Sequence, residues 1–230
     1  MRLELQQRLS ERRELKDFEE KLRFLDDEGK KIFQGYQEQA LYRLVEAWLD
    51  SYESLWREEY LDVLQKRGWT HFKKSILPKL VELSQLVQRL EKDLGNMRKA
   101  RGGALFQVNI QHLLMSEGIP CEIPTGNKAS ALGRIDLVVP NMEIAQSHPD
   151  KAYFITCKRT LRERWKQEVP QGTANRRFYL ITLDDSISPS KAEEIRKMNL
   201  IAYVPSSVKM KHTDKSWIRS IKDFPKDLRA

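Results

Sequence analysis

The spacing of apolar residues changes near residue 100, and this change constrains the fold more than any other feature of the chain. Before it, apolar side chains recur at helical intervals, as in segments 41–56 and 76–94. After it, short runs typical of β-strands alternate with helical segments. The sequence therefore predicts a helical domain over residues 1–95 and a mixed α/β domain over residues 96–230.

The order of helices and strands in the second domain can be predicted from the sequence. The segment RGGALFQVNIQHLL predicts an amphipathic helix that ends by Gly118, and Ser188 before Pro189 is typical of a helix start. The glycines at positions 68 and 95 predict helix breaks, and the basic tail after Val208 gives no clear pattern. We predict strands over 119–123, 134–139, 152–157, 177–183 and 200–204, and helices over 161–168 and 188–199.

Composition excludes several classes of protein. With 40% hydrophobic and 32% charged residues, the chain is neither a disordered tail nor a membrane protein. Two cysteines and four histidines show no zinc-ligand spacing. The charged N-terminal segment lacks the apolar stretch of a signal peptide, so we expect a cytoplasmic protein with reduced thiols.

Positive charge is concentrated in the second half of the chain. Residues 1–100 hold 20 Lys and Arg against 19 Asp and Glu, whereas residues 101–230 hold 21 against 14. A polyanion such as nucleic acid is the natural partner of the second half. A merely soluble basic protein is the alternative.

Asp136 and Lys158 form the first candidate for chemistry. Asp136 lies in GRIDLVVP and Lys158 ends AYFITCK, so pairing of the two strands would bring both side chains to one sheet edge. A carboxylate can hold Mg²⁺, with the Cys157 carbonyl as a further oxygen ligand. A lysine can orient or deprotonate the attacking water, or offset charge on the phosphate. Taken alone, such a pair is more typical of a surface ion pair than of a catalytic site.

A dense charged cluster follows Lys158 directly. Arg162, Glu163 and Arg164 combine the side chains that read guanine and cytosine, because Arg binds guanine O6 and N7 while Glu accepts from cytosine N4. The alternative is a solvated helix face with internal ion pairs.

These pieces, in this order, resemble type II restriction endonucleases of the PD-(D/E)xK superfamily over residues 101–209. The similar group is the one that includes EcoRII and cuts CCGG, CCNGG or CCWGG sites. The resemblance rests on RGGALFQVNIQHLL, GRIDLVVP, TCK, RERW, ITLDDSIS and IAYVP. It implies an α/β fold in which an N-terminal helical domain precedes a nuclease core with a mixed central sheet flanked by helices.

The resemblance also implies roles for individual residues. Asp136 would bind Mg²⁺ or Mn²⁺, Lys158 would be the catalytic lysine, and Arg162, Glu163 and Arg164 would contact C·G pairs. Double-stranded DNA would be the partner. A palindromic site cut on both strands implies a homodimer or a higher homo-oligomer.

The chain departs from the group at two acidic positions. The second carboxylate is expected near Gln171, where no acid stands, so Glu168 one turn earlier is the predicted substitute; an exposed helix charge is the alternative. Gln107 occupies the place of a glutamate on the opening helix, and Glu122 is a further candidate acid. Fewer carboxylates predict one strongly bound metal ion rather than two.

Two other functions fit the same residues. One is a structure-selective repair or recombination nuclease of the same fold. The other is a non-catalytic DNA-binding protein with a degenerate site. Discrete cleavage of plasmid DNA would distinguish a restriction enzyme from both.

Overall fold

The computed structural model describes residues 2–54, 56–57, 61–125, 135–162, 165–168 and 177–229. The chain forms two compact units. One joins Met1–Gly29 to Gly102–Ala230, and the other is Lys30–Arg101. The sequence predicted one helical domain over residues 1–95, whereas the structure groups residues 1–29 with the C-terminal part of the chain. As a division into functional domains, the predicted boundary at residue 95 stays a prediction.

The unit Lys30–Arg101 is helical, as predicted. It contains most of α2 (Phe18–Asp50) and the first part of α3 (Leu61–Ser116). Within the described residues, no helix combines the length and apolarity needed to cross a bilayer.

The two glycines predicted to break helices behave differently. Gly68 has φ 74°, a left-handed conformation that favours glycine, so the break predicted there is confirmed. Gly95 continues α3, so that prediction is wrong. A glycine inside a helix costs only about 1 kcal/mol relative to alanine, and the neighbouring Leu94 is buried. Packing therefore outweighs the conformational cost.

The N-terminal segment packs with the C-terminal part of the chain. Leu5 in α1 (Arg2–Ser10) and Leu22 in α2 are almost completely buried. Phe18 meets Phe224 edge to face, with 5.9 Å between the ring centroids. These long-range contacts explain why the first 29 residues group with the sheet.

Among the described residues, the strands form one five-stranded sheet whose order follows the sequence. β1 pairs with β2 in antiparallel fashion, and the remaining neighbours are parallel. The predicted fold class, a helical segment followed by a mixed sheet with flanking helices, is confirmed. The strands are β1 (Leu137–Val139), β2 (Tyr153–Cys157), β3 (Arg177–Ile181), β4 (Ile201–Val204) and β5 (Ile218–Ser220).

Short helices surround the sheet. Ser188 Oγ accepts a hydrogen bond from Lys191 N at 3.2 Å, so the predicted helix cap is confirmed. The α-helices are α4 (Met142–Ser147), α5 (Pro189–Lys197), α6 (Ser206–Lys209) and α7 (Phe224–Arg229); single 3₁₀ turns cover Pro149–Lys151, Trp165–Glu168, Met210–His212 and Ile221–Asp223.

Three local predictions differ from the structure. Segment 119–123 contributes only a bridge between Glu122 and Val138, not a strand. The helix predicted over 161–168 is, in its described C-terminal part, the 3₁₀ turn Trp165–Glu168. The tail after Val208 contains β5 and α7. The local sequence does not reveal these short elements, because the residues that bury them are distant along the chain.

Candidate active site

Asp136 lies directly before β1, where the antiparallel pairing places it beside the end of β2. Its backbone N–H donates to Ile155 O at 3.0 Å, which continues the ladder. Its Oδ2 accepts from Cys157 N at 2.7 Å and from Thr156 Oγ1 at 3.2 Å. The carboxylate is therefore held by the strand that ends in Lys158.

Burial raises the pKa of the Asp136 carboxyl above its ordinary value, although the Cys157 N–H, the positive charge of Lys158 and the Thr156 hydroxyl each act to lower it. Lys158 thus lies close enough to Asp136 for its positive charge to lower the pKa of that carboxyl. A further cation at the carboxylate would favour its ionised form in the same way.

Lys158 follows β2 at the point where β2 meets β3. Its backbone N–H donates to Ile181 O at 3.0 Å, and its side chain is partly buried. Burial raises the pKa of the neighbouring Cys157 thiol well above its ordinary value, so the sulfur stays protonated at neutral pH. Cys157 is thus unsuited to act as a thiolate nucleophile, and its backbone carbonyl remains the predicted ligand.

Gln107 reaches this site from α3. Its side-chain Nε2 donates to the backbone carbonyl of Asp136. The structure thus brings Gln107, Asp136, Cys157 and Lys158 together. The hydrogen bond from Gln107 supports the backbone that carries the carboxylate.

Glu122 contributes elsewhere. Its Oε2 accepts from Met142 N at 2.9 Å, at the start of α4. Its backbone pairs with Val138, and the structure gives its carboxylate a helix-capping contact rather than a contact with Asp136. A metal-binding role for Glu122 stays a prediction that this contact does not favour.

The remaining predicted site residues are only partly described. Arg162 is exposed. Glu163, Arg164, Gln171 and the side chain of Glu168 lie outside the described residues, so their roles stay predictions. Within the described part of the chain, no cluster of three or more His, Cys, Asp or Glu side chains is disposed to hold a metal ion.

The oxygen donors present nevertheless suit Mg²⁺. This ion is usually bound through one or two protein carboxylates, keeps several waters and takes substrate phosphate oxygens. Asp136 supplies one carboxylate, and among the described residues its hydrogen bonds reach only Oδ2. The Cys157 carbonyl belongs to the residue whose N–H binds that carboxylate. The donor set fits a single Mg²⁺ or Mn²⁺.

Sequence reasoning missed the contacts that hold residues 159–162, which we call segment 159–162. Arg159 Nε binds Asp26 at 2.8 Å, so this arginine is engaged by α2. Leu161 is buried, and its N–H donates to Asp184 Oδ2 at 2.8 Å. The acids in LDDSIS give a weak signal for this contact, because loop acids are common.

The family model described as the EcoRII C-terminal domain matches residues 70–224. The chain belongs to this EcoRII C-terminal family. The matched region includes Gln107, Asp136, Lys158 and segment 159–162. The resemblance inferred from the ordered motifs is therefore confirmed.

Two restriction enzymes illustrate the family at the sequence level. The type II restriction enzyme SsoII from Shigella sonnei is 34% identical over 113 residues, which cover 45% of this chain and 37% of the enzyme. The type II restriction enzyme EcoRII from Escherichia coli is 24% identical over 135 residues, which cover 54% of this chain and 31% of the enzyme. The matches thus span only about a third of each relative.

Solved structures show the same fold. Metal-depleted Ecl18kI in complex with uncleaved, modified DNA has a TM-score of 0.67 at 22% identity, covering 90% of this chain and 67% of that protein. A complex of the restriction endonuclease PspGI with substrate DNA has a TM-score of 0.51 at 16% identity, covering 82% of this chain and 91% of that protein. These neighbours show that the EcoRII C-terminal family member described here shares their fold.

Proposed function

We propose that this chain is a type II restriction enzyme, a site-specific double-strand DNA endonuclease that uses Mg²⁺ or Mn²⁺. The observation that carries the proposal is the junction of β1 and β2, where Cys157 N and Thr156 Oγ1 fix the Asp136 carboxylate beside Lys158. Membership of the EcoRII C-terminal family supports the same conclusion.

In this mechanism, Asp136 and the Cys157 carbonyl would hold the divalent ion. The chemistry that such an ion would supply is polarisation of the scissile phosphate and a lower pKa for a bound water. Lys158 takes a proton from the attacking water or offsets the charge that builds on the phosphate. The water oxygen forms a bond to phosphorus, the bond from phosphorus to the leaving sugar oxygen breaks, and that oxygen takes up a proton. Gln107 acts indirectly, through the Asp136 carbonyl.

We propose that sequence is read by Arg162, Glu163 and Arg164. Arginine donates two hydrogen bonds to guanine, and glutamate accepts one from cytosine. Arg162, four residues after Lys158, is exposed, and this exposure supports a direct contact between its side chain and DNA. The substrate is then a short C/G-rich palindrome of the CCGG or CCNGG type. The two solved neighbours above, both described as DNA complexes, support duplex DNA as the partner.

Glu168 is the proposed second carboxylate, with Gln171 as the alternative position. Comparing Glu168→Ala with Gln171→Ala in the same cleavage assay separates them. If Glu168 binds the metal ion, only Glu168→Ala raises the Mg²⁺ concentration needed for half-maximal cleavage. An effect confined to Gln171→Ala would assign the site to the alternative position.

The decisive experiment is digestion of plasmid DNA with Mg²⁺, followed by run-off sequencing of the ends. A restriction enzyme gives discrete fragments whose ends share one C/G-rich palindrome. Smeared products or preferential cutting of branched DNA would indicate a structure-selective nuclease. DNA that is bound but left intact by freshly purified, folded protein would indicate a non-catalytic DNA-binding protein.

A further inference from the structure

Leu161, within segment 159–162, has both of its backbone polar groups bound by side chains, one from the loop after β3 and one from α5. Its N–H donates to Asp184 Oδ2 at 2.8 Å, and its carbonyl accepts from Lys191 Nζ at 2.9 Å. Lys191 Nζ also lies 3.7 Å from Asp184 Oδ2. We call Asp184 and Lys191 the clamp.

The clamp extends the pairing of β2 with β3 beyond the end of the strands. Lys158 N donates to Ile181 O at 3.0 Å, and Thr182 Oγ1 donates to Arg159 O at 3.3 Å. The bond from Leu161 to Asp184 follows in the same direction. Hydrogen bonds thus connect Lys158, Arg159 and Leu161 in turn to residues 181–184.

Both carboxylate oxygens of Asp184 accept hydrogen bonds from nearby residues. Its Oδ1 accepts from Ser186 N at 2.9 Å and from Ser186 Oγ at 2.8 Å. Burial would raise the pKa of this carboxyl, but the hydrogen bonds from Ser186 and Leu161 outweigh it and lower the pKa. Asp184 therefore stays ionised at neutral pH, with its oxygens occupied by donors, which suits it to hold a backbone rather than to bind a metal.

The side chain of Leu161 is anchored as well. It is 3% exposed and belongs to the same buried cluster as Trp165, on the other side of Arg162. Trp165 N also donates to Arg162 O at 3.0 Å. Arg162 is thus an exposed side chain on a backbone that is fixed on both sides.

We infer that Asp184 and Lys191 are positioning residues that set the place of Arg162 relative to Lys158, and so couple recognition of the DNA sequence to cleavage. The inference rests on the proposed function. A reading side chain is useful only if its guanidinium meets the base edge while the active site meets the phosphate, because both requirements depend on placement to a fraction of an ångström. Both clamp side chains act through the backbone of Leu161.

The test compares Asp184→Asn with Asp185→Asn. The two residues are adjacent and the substitutions remove the same charge, but Asp185 is exposed and pairs with Arg23 rather than with Leu161. Cleavage rates are measured on a duplex with the recognition site and on the same duplex with one base pair replaced. We expect Asp184→Asn to reduce the ratio of the two rates by about tenfold or more, the scale of one misplaced bidentate base contact. Asp185→Asn should leave the ratio unchanged.

A second pair of variants keeps the test informative if Asp184→Asn does not fold. Lys191→Met removes the donor to Leu161 O and leaves the hydrogen bonds of Asp184 in place. Lys191→Arg keeps a cationic donor and should restore part of the lost discrimination. Hydrogen exchange of the Leu161 amide gives a readout independent of cleavage, and it should accelerate in Asp184→Asn.

The outcomes separate the two proposals. If the wild-type chain cuts without site preference, the proposed function fails, and the recognition role of the clamp fails with it. If the wild type is specific while folded Asp184→Asn and Lys191→Met keep its rate ratio, the positioning inference is overturned and the proposed function stands. An equal loss of rate on both duplexes likewise overturns the inference, because it indicates a structural role only.

Discussion

At the scale of single residues, the proposed mechanism requires Asp136 to be both fixed and charged. Hydrogen bonds from Cys157 N and Thr156 Oγ1 fix it and lower the pKa of its carboxyl, but burial raises that pKa by more. An ionised carboxylate in such a place costs folding free energy. Asp136 is therefore a position where function and stability conflict.

We predict that Asp136→Asn stabilises the metal-free protein at neutral pH and abolishes cleavage. Because the folded-state pKa lies above the unfolded one, the ionised carboxylate lowers stability at higher pH, and this penalty disappears as pH falls through the folded-state pKa. The gain in melting temperature should therefore shrink in acid. Thermal unfolding across the pH range checks this, with the exposed Asp150→Asn as control. A lower melting temperature for Asp136→Asn at neutral pH would contradict the prediction.

Lys158 gives a second prediction at this scale. Lys158→Ala should reduce cleavage by roughly 10²–10⁴-fold, the usual contribution of a positioned acid or base, while specific binding is retained. Cleavage and gel-shift assays on one duplex measure the two effects. The exposed Lys151→Ala is the control and should cut at the wild-type rate. Loss of specific binding together with cleavage would identify Lys158 as structural.

At the scale of elements, the C-terminal segment belongs to the core. Phe224, at the start of α7, is completely buried. Its ring centroid lies 4.6 Å from that of Tyr203 in β4 and 5.9 Å from that of Phe18 in α2. The Phe224 ring thus contacts both β4 of the sheet and the start of α2.

Phe224→Ala should therefore destabilise the protein by about 3–5 kcal/mol, the usual cost of deleting a buried aromatic side chain. Chemical denaturation followed by circular dichroism measures the difference. Met210→Ala, at a position that is 71% exposed, is the matched control, and its effect should stay within about 0.5 kcal/mol. Equal stabilities of the two variants would show that α7 contributes little to the fold.

At the scale of the whole molecule, the proposed palindromic site requires the same reading residues twice. A two-fold dimer meets this requirement, since it places one active site on each strand. The excess of positive charge beyond residue 100 is consistent with attraction of DNA to the domain proposed to read it.

We predict two protomers per DNA site. Analytical ultracentrifugation of the protein with a short duplex should give a complex of two chains and one duplex. A duplex with the palindrome replaced is the control, and it should not support the same complex at equal concentration. One chain per palindromic duplex at saturation would rule out the dimeric arrangement.

Much of the fold followed from local patterns. Helical periodicity and the apolar runs near β2, β3 and β4 were sufficient to predict those elements, because each is long enough to show its own period. The three-residue strand β5 and the 3₁₀ turn Trp165–Glu168 were not predictable in this way. Such short segments are set by their neighbours rather than by propensity.

The order of motifs by itself predicted the family and the mixed sheet, since these depend on residue types and spacing along the chain. Whether Asp136 approaches Lys158 depended on the pairing of β1 with β2, which the tertiary structure supplied. Only the tertiary structure decided that Glu122 caps α4, that Asp26 engages Arg159 and that Asp184 holds Leu161. Those contacts join residues 20 or more positions apart. Their geometry is fixed by packing of the whole unit, which no local pattern encodes.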